Sequence, residues 1–582
     1  MRKKIILLLI TVGLFFPSCE DAFDFGSDGR VTYDEIFSDY LLTGKYLTTA
    51  YSYFPYYGAS SAGGTFLASF TDEAQDAQDV VPGSNSLKYY EGNMNSASNL
   101  IKGSLYDNMF KGIRTCNVFL ARVDDVPSFT IQEHRGQWKA EAYLLRAYYY
   151  LQLIKRYGPM PIFKEELPLD YDFSTMERPS FYENVQAIIA DCDAALAQPE
   201  LLYRQVSGLQ DGYMTRGVAY AIKSQAILFA ASPLWNDGND HWAEAATVTK
   251  EALDALEGAG YGLFNPSNTS IPGLYSKYQE YFLTQPESVE FPSVEKETIL
   301  GKSRMTLWSG YSLPILADVT KAGISPSQEL VDAYETIDGV PVLDPTMPYL
   351  DDAHLQPNYN SANTMYDPEN PYANRDPRLF STIYCNGNFH NLSNNTIPVE
   401  TYVGGSSEIS DNSNLNTRTG YYLRKFIHYD SRKNSNKDGF WHDYRMAEMY
   451  LNFAEADFYA KGAVTTEALA AVNTIRSRAG MPDIQISTST SEFELKLRNE
   501  RRVELAFEEH RYYDLRRWKI QSDFEGIVTG MKITKNGEDF EYDRIVVQER
   551  NITDEKYLMW PIPLTEQNKY NALGVEFQNE GW

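Results

Sequence analysis

The sequence predicts a mainly α fold: a helical scaffold, repeat-like in part, interrupted by a long loop-rich region. Two observations predict it. In two blocks, about 30–260 and 441–520, apolar residues recur at steps of three and four, the spacing of a buried helical stripe. Between them, over about 261–440, the text changes to Gly, Pro, Asn, Ser and Tyr, as in SNTSIPGLYSKYQEYF and YVGGSSEISDNSNLNTRTGYY.

The helices follow in order. From Gln137 to Tyr157 the set Ala140, Leu144, Ala147, Leu151 and Ile154 makes one stripe, ended by Gly158-Pro159. Tyr143, Tyr150 and Tyr157 form a row beside it and are expected to pack between helices. Over 180–197, Ser180 and Glu183 make a capping box, and Phe181, Val185, Ile188, Cys192 and Leu196 share a face. Further helices are expected from Thr215 to Ala231, stopped by Ser232-Pro233, and from His241 to Leu256, stopped before Gly258.

In the second block, Arg445 to Lys461 carries Ala447, Leu451, Ala454 and Phe458 and closes at Gly462. Thr465 to Ala479 carries Leu469, Val472 and Ile475 and closes at Gly480, with Pro482 beyond. Ser491 with Glu494 is expected to cap a third helix. Short connections predict antiparallel neighbours, and helix pairs about 34 residues apart suggest tetratricopeptide-like stacking. The middle region carries too many apolar and aromatic residues for a free linker. It is expected to pack on the helices with a few short strands, one around Thr298 to Leu300. Residues 521–582 form a C-terminal segment.

Composition narrows the partners. The 582 residues hold 52 Lys+Arg against 79 Asp+Glu, a formal charge of -27 that repels phosphate backbones and argues against nucleic-acid binding. The 43 Tyr outnumber the 29 Phe and 8 Trp together, which favours surfaces apolar on the ring and hydrogen-bonding at the tip. Residues 1–18 read as an export signal: Arg2, Lys3 and Lys4, an apolar run from Ile5 to Phe16, then a small residue before Cys19. The end of this run is similar to the lipobox of bacterial lipoproteins, whose Cys is acylated, so Cys19 is the expected lipidation site. Glu20, Asp21 and Asp24 look like the acidic tag that routes such lipoproteins to the outer face of the outer membrane. Cys116, Cys192 and Cys385 form no CxxC pattern; Cys116 and Cys192 sit in helical patterns and are expected to be small buried hydrophobes.

Enzyme signatures are missing. No GxGxxG, GxxxxGK[ST], GxSxG or HExxH occurs, and the seven His show no metal-ligand spacing. Paired carboxylates for glycoside hydrolysis stay open, because their separation in space decides the matter. The most charged segment, RNERRVELAFEEHRYYDLRR at Arg498 to Arg517, sets Arg501 with Glu504 and Glu508 with Arg511 at helical spacing; it reads as a charged site or, in preference, as an ion-pair network at a helix interface.

Overlapping that segment, ERRVELAFEEHRYYDLRRW from Glu500 to Trp518 resembles the signature of the SusD/RagB family of outer-membrane nutrient-binding lipoproteins. Other blocks of the family stand in order: LRAYYYLQLIKRYGPMPI at Leu145 to Ile162, AASPLWND at Ala230 to Asp237, RDPRLFSTI at Arg375 to Ile383, AEMYLNFAEA at Ala447 to Ala456, VNTIRSRAGMP at Val472 to Pro482, and MWPIPLTEQNKYNALGVEFQNEGW at the C-terminus. The resemblance implies a tetratricopeptide-like scaffold with a loop-rich ligand-binding region, one SusD-like domain over 19–582. It implies a non-catalytic cell-surface lipoprotein that captures glycan, or in some members peptide, and serves as lid to a SusC-like TonB-dependent transporter.

A sugar site needs aromatic platforms beside directed hydrogen-bonding groups. Two stretches offer both. In the first, Tyr89 and Tyr90 are candidate platforms, with Asp72, Asn93 and Asn95 as hydroxyl partners. The second, SRMTLWSGYS, offers Arg304, Trp308 and Tyr311; family members contribute binding residues from both regions. YFPYY at Tyr53 to Tyr57 is a third. For each of these residues, packing in the core is the competing role. No cofactor is called for, and a structural Ca²⁺ in a loop is left open. The alternatives to glycan capture are a peptide-nutrient binding protein, a glycoside hydrolase and a helical adaptor without a small ligand.

Overall fold

The computed structural model describes residues 31–55, 65–97, 105–168, 170–204, 212–266, 276–284, 294–302, 311–314, 322–390, 396–432 and 439–582. Residues 1–18 with Cys19, Tyr56 and Tyr57, and Arg304 and Trp308 lie outside them.

Two short helices, α1 (Tyr33–Ser38) and α2 (Tyr40–Tyr51), lead to strand β1 (Ala74–Asp76), a 3₁₀ turn at Ala77–Val80, and α3 (Asn85–Tyr90). The long helices follow: α4 (Leu105–Arg122), α5 (Glu133–Tyr157), α6 (Phe181–Leu196), α7 (Arg216–Ala231) and α8 (Trp242–Gly258). The middle region holds α9 (Lys277–Leu283), β2 (Thr298–Lys302), β3 (Ile324–Pro326), α10 (Gln328–Ala333), α11 (Pro377–Thr382), β4 (Ile383–Tyr384), β5 (Phe389–His390), β6 (Ile397–Pro398) and β7 (Tyr422–Leu423). Strand β8 (Trp441–Arg445) runs into α12 (Met446–Lys461), followed by α13 (Thr466–Ala479), α14 (Thr490–Glu504), α15 (His510–Arg517) and α16 (Gln521–Phe524). The chain ends in a hairpin, β9 (Ile527–Asn536) and β10 (Asp539–Glu549), and helix α17 (Leu564–Ala572).

Neighbours in sequence are neighbours in space from α4 to α8. Helix α12 then packs on α8 and α13 on α12, so the two helical blocks make one continuous stack. The stack is tight enough to need Gly112, where a Cβ would collide with the ring of Tyr149. The capping box of α6 forms as expected: Ser180 Oγ accepts from the Glu183 N–H (3.1 Å), and the Glu183 carboxylate accepts from the Ser180 N–H (2.7 Å). Helix α14 differs. Its cap is Ser489, which accepts from the Glu492 N–H, and Ser491 lies inside the first turn. The hairpin β9–β10 was not foreseen, although Asn536-Gly537 between alternating strands is a strong hairpin signal; Gly537 turns the chain at φ +70.

Tyr150 and Tyr157 are buried between helices, as their row predicts, and Cys116, Cys192 and Cys385 are buried free thiols. The Tyr excess departs from the surface role expected of it. Buried tyrosines use the ring as core and the hydroxyl to serve carbonyls at helix ends and in loops: Tyr149 donates to Ala50 O (2.6 Å), Tyr278 to Glu504 O (2.6 Å) and Tyr261 to Tyr203 O (2.8 Å). Among the described residues, no helix is long and apolar enough to cross a membrane.

The segment Arg498 to Arg517 is an ion-pair network, but with other partners than helical spacing suggests. Helix α14 ends at Glu504, and the chain turns through Phe507 (φ +62) and Glu509 (φ +68), both left-handed, so positions 508 and 511 do not share a helix with 501 and 504. Glu504, fully buried, receives Arg445 Nη1 (2.7 Å), Arg378 Nη1 (3.1 Å) and Arg478. Glu508 takes Arg445 Nε (2.6 Å) and Lys425 Nζ (2.7 Å). Arg501 and Arg517 share Asp514, and Arg517 also forks onto Glu455. Burial alone would raise these carboxyls; the guanidiniums outweigh it, holding Glu504 far below the usual range and Asp514 at about 2.

Glu504→Gln leaves three buried guanidiniums short of a counter-charge and is expected to cost about 3–5 kcal/mol in urea unfolding; a cost near zero would remove the network from the fold's support. The depressed carboxyls also set an acid limb. Their stabilisation is complete above the unfolded carboxylate value, about 4, and is lost as pH falls towards the folded values. The urea midpoint should therefore fall between about pH 5 and about pH 3, and a flat profile there would contradict the assignment.

Candidate functional site

The fold places the first predicted stretch beneath the surface. Asp72 is buried and forked by Arg511 (Nε and Nη2, 2.9 Å each), with Arg502 Nη2 at 2.7 Å. Burial would raise its carboxyl; the two guanidiniums hold it below the usual range. It therefore fastens α15 to the loop before β1 and offers no oxygen to a sugar. The neighbouring Glu73 is buried and pushed up to about 7, chiefly by burial.

Tyr89 and Tyr90 are corrected likewise. The Tyr89 ring packs edge-on against Phe70 (4.6 Å) and Tyr557 (5.7 Å), and its hydroxyl accepts from Arg516 Nη2 (3.0 Å). Tyr90 is fully buried under Arg550, whose guanidinium stands 4.3 Å over the ring. Its hydroxyl donates to Ser69 O (2.8 Å) and accepts from the Asp76 N–H (3.1 Å). Neither ring has a face left for stacking. Short helix α3 turns its Tyr-rich end inward because both hydroxyls find partners there, which sequence spacing does not reveal.

Asn93 and Asn95 are exposed; Asn93 Nδ2 donates to Glu91 (3.0 Å), and Asn95 Oδ1 accepts from the Ala97 N–H (2.9 Å). In the second stretch only Tyr311 falls within the described residues. It too is buried, its ring against Phe66 (6.1 Å) and so close to Gly323 that a Cβ there would collide with it.

Around Tyr311 the structure brings together residues that the sequence reading passed over. Strand β3 pairs with β1, the Ala77 N–H donates to Gly323 O (2.8 Å), and the Ala322 N–H donates to Asn414 O (2.7 Å). This knits the 3₁₀ turn at Ala77–Val80, the entry to β3 and the loop of 408–418 into one surface. At its centre the Asp79 carboxylate accepts from Gln75 Nε2 (2.6 Å) and from Arg418 Nε (2.9 Å). Arg418 spends Nη1 on Ser410 O (2.9 Å). Gln78 Oε1 lies 3.5 Å from Asn414 Nδ2, while the buried Gln78 Nε2 has no hydrogen-bond partner among the described residues. Beside these polar groups, Val81 and Leu415 are exposed.

Such a surface suits hydroxyl-rich ligands: directed amide and guanidinium donors on a braced base, with apolar side chains alongside. The signal available in the sequence was Arg418, a lone cation in the run NSNLNTRTG. Tyr311 and Ala322, the described residues that follow 303–310 and 315–321, are buried beneath this surface. Among the described residues, no group of three or more His, Cys, Asp or Glu is placed to hold a metal ion.

Fold and surface define the class: a helical-repeat scaffold that presents a polar loop surface. The model of the SusD family matches residues 308–582, and a second SusD-like model, described as starch-binding and associating with the outer membrane, matches residues 56–228. The chain belongs to the SusD/RagB family of carbohydrate-binding proteins. Similar folds include a SusD-like protein from Bacteroides fragilis, at 23% identity and TM-score 0.74 over 94% of this chain and 98% of that one. A SusD-like carbohydrate binding protein from the same species matches at 21% and 0.69 over 92% and 98%. Surface glycan-binding protein A from Bacteroides fluxus matches at 19% and 0.58 over 94% and 100%. No curated protein matches the chain.

Tyr90→Phe removes two buried hydrogen bonds, to Ser69 O and from the Asp76 N–H, and is expected to cost about 1–3 kcal/mol of stability, while sugar affinity stays at the wild-type value. Loss of sugar binding in a folded Tyr90→Phe variant would return that ring to the site.

Proposed function

We propose that this protein is a cell-surface glycan-binding lipoprotein that captures oligo- or polysaccharide and delivers it, chemically unchanged, to a SusC-like TonB-dependent outer-membrane transporter. Family membership carries the reading, since members are binding proteins and the family is described as starch-binding and associating with the outer membrane. The run ending in Cys19 supports export and a lipid anchor. Acyl chains at Cys19 hold the protein at the membrane, and the acidic residues after it suit a position facing the exterior.

The proposed contact surface is Gln78, Arg418 and Asn414 together with Arg304 and Trp308, whose segment runs directly into Tyr311. Trp308 supplies the platform that Tyr89, Tyr90 and Tyr311 do not; Asn93 and Asn95 lie on the same run as the displaced tyrosines and are secondary contacts. One stacking ring contributes about 0.5–1.5 kcal/mol and each hydrogen bond about 1 kcal/mol, which places single-chain affinity between micromolar and millimolar. Long polymers gain through repeated engagement.

Calorimetry across a panel of oligosaccharides is expected to find one class that binds in this range, with binding lost on Trp308→Ala and weakened on Gln78→Ala. Prolonged incubation should release no new reducing ends. Binding of short peptides with no response across the glycans would replace the reading with peptide capture, and new reducing ends would replace it with glycoside hydrolysis.

A further inference from the structure

Between β3 and α11 the chain forms a hairpin that faces solvent with apolar side chains. Residues 342–350 and 356–360 run antiparallel: the Asp344 N–H donates to Asn358 O (2.8 Å), the Asn360 N–H to Val342 O (3.0 Å), and the Leu350 N–H to Gln356 O (2.8 Å). The inner side is pinned. Tyr349 donates from its hydroxyl to Asp332 (3.0 Å), the same carboxylate that Arg544 of β10 holds with two bonds of 2.8 Å. The Tyr349 ring stacks on His354 (4.0 Å), and His354 Nδ1 lies 3.1 Å from Glu329 of α10. His354 keeps a left-handed backbone (φ +59) to make that contact.

The outer side is bare. Met347 is 54% exposed, Leu350 58%, Leu355 40% and Tyr359 42%. Four such side chains on one rigid hairpin lose apolar area to water unless something covers them, and the pinning means that covering them costs little ordering. The charges carried by the hairpin and the chain on either side of it are of one sign. No Lys or Arg occurs from Ala322 to Asn374, while Asp352, Asp367 and Glu369 are exposed and Asp344 and Asp351 partly so. An anionic headgroup layer is repelled by such a rim; a cationic rim is attracted to it.

We infer that the hairpin of residues 342–360 is a protein-docking element that inserts Met347, Leu350 and Leu355 into an apolar socket rimmed by Lys and Arg. The partner it fits is the transporter barrel, and this rests on the delivery reading above. Hairpin and sugar-contact surface are distinct parts of the chain, so docking and capture are separately mutable.

The test co-expresses the full chain with a SusC-like transporter and measures co-purification after detergent extraction. Leu350→Ser with Leu355→Ser, and separately Asp352→Lys, alter only exposed side chains, so both variants should keep the wild-type melting temperature and oligosaccharide titration. Each is expected to lower co-purified barrel by at least about tenfold, as truncation of interface anchors does, and added salt should weaken the wild-type complex. Variants that join the barrel as well as wild type overturn the hairpin's role alone, whereas a wild-type chain that does not join it overturns the delivery reading as well. Loss of oligosaccharide binding with the barrel retained would make the hairpin a sugar platform. A wild-type dimer broken by these substitutions would make it a self-association face.

Discussion

The structure depends on buried guanidinium–carboxylate contacts gathered around Glu504. Charge taken out of water is costly unless its partner is present and well placed, and removing either side leaves the other stranded. Such pairs add little over apolar packing when intact, but they penalise every arrangement in which one member is bare. Glu504 has this effect on Arg378 from the middle region, Arg445 at the start of α12 and Arg478 on α13. Asp72, through Arg511, extends the same device to the loop beneath the candidate binding surface. The polar surface is thus braced from below by the segment that gives the family its signature.

The same chemistry answers a problem of loop-rich proteins: backbone carbonyls with no ladder to join. An unpaired buried carbonyl costs about as much as a lost hydrogen bond. Here the donors come from side chains. Arg550 feeds Thr71 O, Ser69 O and Ala74 O, and Arg375 feeds Pro371 O, Val331 O and Tyr334 O. Tyrosine hydroxyls do the same with one donor each. Part of the Tyr-rich composition is spent on such carbonyls and says less about ligand contact than it first suggests.

That reversal separates what the sequence made legible from what it did not. Periodicity located α5, α6, α7, α8, α12 and α13 to within a few residues, because a buried stripe repeats with the helix. Caps were read where side chain and spacing agree, as at Ser180, and misplaced by two residues where the run STSTS offers several hydroxyls. Ion pairs were sought at helical spacing and found across sequence gaps, because a charge in the interior takes the partner that the fold supplies. The platform tyrosines failed for a related reason: a ring next to polar residues looks the same in sequence whether water or an arginine covers it. Asp79 with Arg418 is separated by hundreds of positions and has no local signature.

Glu504 and its three arginines come from four separate stretches, and Glu297, which also pairs with Arg445 and Arg478, adds a fifth. No stretch that holds Glu504 without these others can neutralise that cluster. A half-assembled molecule would hold solvent-starved charge, so it stays open to water until the last stretch arrives. Assembly is thereby made all-or-none across more than two hundred positions, and a truncated product is left soft enough for proteases to clear.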